Sequence, residues 1–276
     1  PAMTRFGAWP ASDALVVLQR RMPWLGSIAL AMSRPAGAAI GLPVFTRMQL
    51  GGPSTGAIAF ALGIPATPMI HAGLLTEPRS LMALGMLGAK EMVIGVIIGL
   101  LIGLPIWGVQ CAGELLDTQR SATQGQAEDP GSGNQESTTA GFFALAVTTL
   151  FVLSGGLNLL ADTLLSSETL WPPLALALAP QPGGGMVLLG LLDRLETVSL
   201  SIGAPVMLAM LLCEASVILL MRAIPKLHLY DLAPNLRNLV FILMMFGYCA
   251  WLVSYMKHDL VASRDVLGTM HQLLKP

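Results

Sequence analysis

Apolar and polar positions divide this chain into long greasy runs separated by brief polar punctuation. The runs cover residues 22–45, 54–76, 80–113, 138–165, 199–224 and 238–256. Most hold about the twenty residues that a helix needs to cross roughly 30 Å of hydrocarbon. The pattern predicts an all-α, polytopic membrane-type protein built of helical hairpins, some kinked or broken. The breaks are predicted where the runs are punctuated. Ser33-Arg34-Pro35 should cut the first run into two halves too short to span alone. Pro65 and Pro68 should kink the second, because each removes a backbone donor and clashes with the preceding turn. Lys90-Glu91 divides the third, and "MVLLGLLDRLETVSL" reads as a separate short helix ahead of the fifth. Between the third and fourth runs, "DTQRSATQGQAEDPGSGNQESTT" (117–139) is rich in Gly, Ser and Gln and has too little apolar surface to form a core, so it reads as a loop.

Composition agrees with the pattern. Of 276 residues 54% are hydrophobic and 11% charged, against roughly a quarter charged in soluble proteins. Mean hydropathy is +0.69. A net charge of −1, with basic residues scattered, argues against a nucleic-acid surface or a polybasic lipid-binding tail. Candidate chemistry is sparse. Cys111, Cys213 and Cys249 all lie in apolar runs and form no CxxC or Cys/His grouping. His71, His228, His258 and His271 are isolated, and no glycine-rich phosphate loop or paired-aspartate metal site occurs. Ser154-Gly155-Gly156 has Val152 rather than glycine two residues before the serine, and no histidine follows in a comparable helix, so no hydrolase nucleophile is read there. No enzymatic activity, cofactor or metal is expected.

Three features carry physical meaning. Gly95, Gly99 and Gly103 stand at i, i+4 and i+8 and form a bare stripe, the device by which helices in lipid approach closely. Adjacent side chains on a helix point about 100° apart, so Lys90 and Glu91 are expected to need separate partners. Two readings of that pair stand: a water-interface marker with Lys90 snorkelling outward, or a protein-lined interior. Glu214, amid some ten apolar residues on each side, requires either a buried hydrogen-bond partner or a place on an ion or proton path.

Taken in order, the motifs resemble the SctT/FliR family, the export-apparatus membrane proteins of bacterial type III secretion. "RPAGAAIGLPVF" supplies Arg34, Pro43 and Phe45. "KEMVIGVIIGLLIGLPIWGVQCAGELLDTQRS" supplies Lys90, Glu91, Gly95, Gly99, Pro105, Trp107, Gly113, Asp117, Gln119 and Arg120, and "EDPGSG" supplies Asp129-Pro130. "SGGLNLLADTLLSSETLWPP" has the Gly-Gly and Trp-Pro spacing of the injectisome branch, and "APVMLAMLLCEASVILLMRAIPKLHLYDLAP" carries Glu214, Arg222, Pro225 and Leu227. The pattern departs from the family at Ser121, Ile106 and Lys226-Leu227-His228.

The resemblance implies a single helical domain over 1–276, with residues 1–198 similar to SctR/FliP and residues 199–276 similar to the hairpin of SctS/FliQ. It implies a subunit of a closed gate in the bacterial inner membrane, largely raised out of the membrane plane, through which unfolded proteins are exported. SctR/FliP-, SctS/FliQ-, SctU/FlhB- and SctV/FlhA-like proteins, inner-rod or needle proteins, secretion substrates and membrane lipid would be its partners. It further implies that Ser121, Gln124, Gln126, Glu128, Asp129, Pro130, Asn134 and Glu136 belong to a channel plug, although composition alone also fits a plain connector. Gly95, Gly99 and Gly103 would pack against sister subunits. Arg34, Lys90, Glu91, Asp117, Gln119, Arg120, Glu214 and Arg222 would be buried polar or interface residues. On the residues alone, a small-solute permease with broken helices and Glu214 near mid-membrane stands as the alternative.

Overall fold

The structure, a computed structural model, describes residues 11–48, 50–77, 79–120, 127–128, 135–175, 179–180, 184–223, 233–262 and 266–275. Its helices are α1 (Ala11–Gly41), α2 (Val44–Arg47), α3 (Gly52–Gly63), α4 (Thr67–Thr76), α5 (Leu81–Arg120), α6 (Thr138–Leu153), α7 (Gly156–Leu170), α8 (Gly184–Ala223), α9 (Ala233–Ala262) and α10 (Val266–Leu273). Two minimal antiparallel pairings, β1 (Ala127–Glu128) with β2 (Gln135–Glu136) and β3 (Ala179–Pro180) with β4 (Leu274–Lys275), are the strand structure among the described residues. The all-α expectation holds. Four helical segments are long and apolar enough to span a membrane, five if α6 and α7 count as one bent span. The chain is a membrane protein.

Several breaks fall elsewhere than the sequence suggested. Ser33-Arg34-Pro35 does not divide the first run, because α1 continues through Pro23 and Pro35. By the i→i−4 rule, Pro35 leaves the carbonyl of Ala31 without its helical donor. Gly63 of α3 packs on that oxygen, where an added methyl would stand 2.6 Å away. Nor does Lys90-Glu91 split the third run: α5 runs unbroken for 40 residues. The separate helix expected ahead of residue 199 merges with the fifth run into α8, also 40 residues long. Conversely, the fourth run is broken. α6 and α7 meet at 67°, and Gly155 at the corner has φ +83°, a left-handed conformation that other residues resist. Gly156 packs against the ring of Phe151 at the same corner. At the prolines of the second run a 3₁₀ turn, Ile64–Ala66, interrupts the α-helix and joins α3 to α4.

α5 is the axis. Ile94, Ile98, Ile102 and Ile106 recur every fourth residue along it and are almost wholly buried, forming the spine of the main core with Phe143 and Val147 of α6 and Ile202, Val206 and Met210 of α8. A smaller core joins Leu30 and Ala31 of α1 to Ala66, Ile70 and Leu74 and to Leu87 of α5. α1 runs parallel to α5: Gly37 lies against Met92, Gly41 against Val96, and Pro43 against Gly103. α8 is also parallel to α5, since Val198 faces Gly108 and the Met207 carbonyl meets Gln119. α9 returns antiparallel to α8 through Arg237–Glu214 and Tyr248–Ile202. Because α5 stops at Arg120 beside Met207, the remainder of α8 to Ala223 projects beyond it by about 24 Å at 1.5 Å per residue.

Candidate functional site

The glycine stripe of α5 is half of a seam whose other half lies in the same chain. A methyl on Gly95 would fall on the carbonyl of Arg34, and one on Gly99 on the carbonyl of Ala38. Reciprocally, a methyl on Gly37 or Gly41 of α1 would collide with the backbone of Met92 or Val96. Gly103 seats the ring of Pro43. Backbone meets backbone along two and a half turns, the closest packing helices achieve. The face expected to meet sister subunits is therefore occupied by α1. Gly37 and Gly41, four residues apart in "RPAGAAIG", are the complementary signal that the sequence reading passed over.

At one end of the seam lies a buried ion cluster. The Arg34 side chain, 1% exposed, donates from Nε to Glu91 Oε2 (2.6 Å), from one terminal nitrogen to Ser167 Oγ (2.8 Å), and from the other to the Trp171 carbonyl (2.7 Å). Lys90 Nζ lies 2.7 Å from Glu91 Oε1 and donates to the carbonyls of Pro172 (3.0 Å), Pro173 (3.3 Å) and Ala175 (2.8 Å). Lys90 and Glu91 thus pair directly, contrary to the expectation of separate partners. The Lys90 stem is long enough to fold its ammonium back across the angle between the two Cα–Cβ bonds. Of the two readings of this pair, the protein-lined interior is the one realised. Glu91 unites two cations, which in turn bind the segment 171–175 that leaves α7. Ser167 and the carbonyls of 171–175 were not singled out from sequence; a proline pair, which supplies carbonyls but no N–H donors, was the available signal.

At the far end of α5 a second polar group ties that helix to the start of α6; the loop expected over 117–139 is shorter at both ends, since Asp117–Arg120 belong to α5 and Thr138–Thr139 to α6. Asp117, 1% exposed, accepts from the Thr139 backbone N–H (2.7 Å) and hydroxyl (2.6 Å). Thr139 sits in the first turn of α6, where the helix dipole favours a carboxylate. Ser137 caps the same turn by accepting from the Ala140 N–H (3.4 Å). A methyl on Gly113 would strike the backbone of Ala140, so the α5–α6 approach is also glycine-dependent. Arg120 contacts Asp117 (3.3 Å) and covers the Phe241 ring at 4.0 Å. Gln119 donates to the Met207 carbonyl (3.0 Å), while Arg237 donates to the Gln119 carbonyl (3.1 Å) and to Glu214 (2.9 Å). Glu214 has the hydrogen-bond partner expected, yet its side chain is 44% exposed rather than buried. Arg222, expected to be buried or at an interface, is exposed on the projecting end of α8.

Of the loop residues, Glu128 and Glu136 fall in β1 and β2, where Glu128 pairs with Gln135 and Ala127 with Glu136. Ser121, Gln124, Gln126, Asp129, Pro130 and Asn134 lie outside the described residues. Among the described residues no grouping of three or more His, Cys, Asp or Glu suited to a metal occurs.

The described residues thus form a helical frame with two buried polar fastenings. The frame has close relations among proteins of known role. A family model described as "Bacterial export proteins, family 1" matches residues 25–262. The chain is 24% identical to Yop proteins translocation protein T of Yersinia pestis, over 85% of its own length and 90% of that protein's. It is 27% identical to Surface presentation of antigens protein SpaR of Salmonella typhimurium, over 81% and 83% of the two chains. With Secretion system apparatus protein SsaT of Salmonella typhimurium it shares 26% identity over 80% and 85%. With a family model matching most of its length and relatives aligned nearly end to end, this chain belongs to the bacterial export proteins, family 1, the SctT/FliR family that its motifs resemble.

Proposed function

We propose that this chain is a subunit of the type III secretion export apparatus in the bacterial inner membrane. There it packs with SctR- and SctS-like partners to form the gate through which unfolded proteins leave. It performs no chemistry; the energy comes from partners. The observation that carries this reading is the contrast in covering. The apolar windows of α8 and α9 are each only 17% buried, against 67% for α5. Leu208, Leu212, Leu219, Leu243 and Phe246 stand more than half exposed on the hairpin. Helices of 40 residues are about 60 Å long, twice the hydrocarbon thickness, so lipid alone cannot cover them. Neighbouring subunits supply that cover. The division between an SctR-like part (1–198) and an SctS-like part (199–276) falls inside α8, so it marks a change of neighbours along one helix rather than a hinge.

Residues 121–136 serve as the plug of the gate. The Asp117–Thr139 clasp supports this role, because it holds both ends of the segment at one point while leaving its middle to be displaced by a passing chain. Joining Arg120 directly to Ser137 tests the plug. The variant should assemble and keep its thermal stability but raise ion leakage through the complex. An unchanged leak in a fully assembled complex would retire the plug.

A further inference from the structure

The surroundings of Lys90 have the form of a binding site for a monovalent cation. Four oxygens converge on its ammonium: the carbonyls of Pro172, Pro173 and Ala175 at 3.0, 3.3 and 2.8 Å, and Glu91 Oε1 at 2.7 Å. An ammonium has three N–H donors, so four oxygens exceed its directed hydrogen bonds and bind it partly as a point charge. Every contact is to oxygen. The distances are longer than the 2.0–2.1 Å of Mg²⁺ and the 2.3–2.6 Å of Ca²⁺. They suit a large, weakly hydrated monovalent ion, and rings of backbone carbonyls that replace a hydration shell are how proteins hold such ions. Lys90 is 9% exposed and Glu91 1%, while Pro172 and Ala175 are exposed, so the cage stands at the edge of the buried cluster, where a free cation could reach it. The carbonyls come from a proline-containing segment that offers few N–H donors of its own; that of Pro172 accepts from the Ala175 N–H (3.1 Å) as well as from Lys90.

We propose that the connection leaving α7 is a monovalent-cation site of the ammonium class whose resident cation is the tethered side chain of Lys90. Its job is to draw the carbonyls of 172–175 onto Glu91, fixing where the chain departs toward α8. Charge and size matter there, and the fork geometry of a guanidinium does not. Lys90→Met then leaves an empty cage that free ammonium can enter, whereas Lys90→Arg puts a planar group where four oxygens converge and leaves no vacancy.

The test is chemical rescue of the full-length protein purified in detergent. Thermal unfolding of wild type, Lys90→Met and Lys90→Arg is followed while ammonium, ethylammonium or choline chloride is exchanged at constant ionic strength. For Lys90→Met the site predicts a saturating rise in Tm of about 2–4 °C with ammonium, a rise with ethylammonium, and none with choline; wild type and Lys90→Arg should not respond. Equal shifts in choline and ammonium, or a response of wild type as large as that of Lys90→Met, would overturn the proposal. Should Lys90→Met fail to accumulate in ordinary buffers, its recovery from membranes only with ammonium or ethylammonium supports the site. Failure with every cation overturns it.

Discussion

α5 and the α8–α9 hairpin look alike to hydropathy and differ in nearly everything else. Their apolar windows average 2.5 for α5 and 2.2 and 2.0 for the hairpin helices, yet 67% of the first is buried within the chain and 17% of each of the others. The difference lies in side-chain size on the contact faces. α5 presents Gly95, Gly99, Gly103, Gly108 and Gly113, and a methyl on any of these would meet α1, α2's leading proline, α8 or α6 within 3 Å. The hairpin's exposed faces carry large residues, and Gly190 and Gly247 have nothing within 4 Å of a methyl's place. Burial in a membrane protein is decided by how closely backbones approach, because lipid is as apolar as leucine. α5 is clothed by its own chain; the hairpin is left largely bare by it.

The largest effect should come from filling the seam. Gly99→Leu forces a branched side chain into the Ala38 and Gly41 backbone, with no flexible side chain to yield. The expected cost is more than about 3 kcal/mol, beyond ordinary overpacking. Yield of folded, monodisperse protein should collapse even when the chain is expressed alone; survival of the isolated chain with loss only of partner binding would move the stripe to the outside of the fold.

Next in size is the ion cluster. Arg34→Met leaves Glu91 buried with a single cation, and loss of a partner from a buried pair costs about 3–5 kcal/mol. Arg34→Met combined with Glu91→Met should be less damaging than the sum of the two single changes. A double-mutant cycle by thermal unfolding measures the coupling, and simple additivity would remove the cluster from the account. Smallest for the chain alone are Leu212→Ser and Leu243→Ser. Their exposure predicts changes within about 0.5 kcal/mol in stability, but the pair should abolish co-purification with partner subunits. A large fall in the stability of the lone chain, with partner binding intact, would reverse the comparison.

Much of this was readable in the sequence. Helical class, the interruption of the second run at Pro65 and the close packing of the glycine stripe all follow from local pattern. What failed was punctuation by charge and proline. Arg34, Lys90 and Glu91 read as breaks because in a one-dimensional pattern a charge has no partner, whereas here Glu91 meets Arg34 across 57 residues of sequence and Lys90 beside it, and backbone carbonyls take up further donors. Pro35 read as a terminator for the same reason, since the cover that Gly63 gives to the Ala31 carbonyl comes from another helix. The true break, at Gly155, was hidden in "SGG", where the turn is set by one positive φ rather than by polarity. Direction of packing was the other gap. Glycines at i and i+4 announce a close contact but not whose, and only the matching Gly37–Gly41 pair on α1 assigns it to the same chain.

The most direct test places a photoreactive amino acid at position 212 and, separately, at 243 in the full-length protein, expressed with the rest of its secretion apparatus in intact membranes. Covalent adducts are expected between each position and another protein subunit, lost when those subunits are deleted. Adducts to lipid alone at both positions, in cells that still secrete, would contradict it.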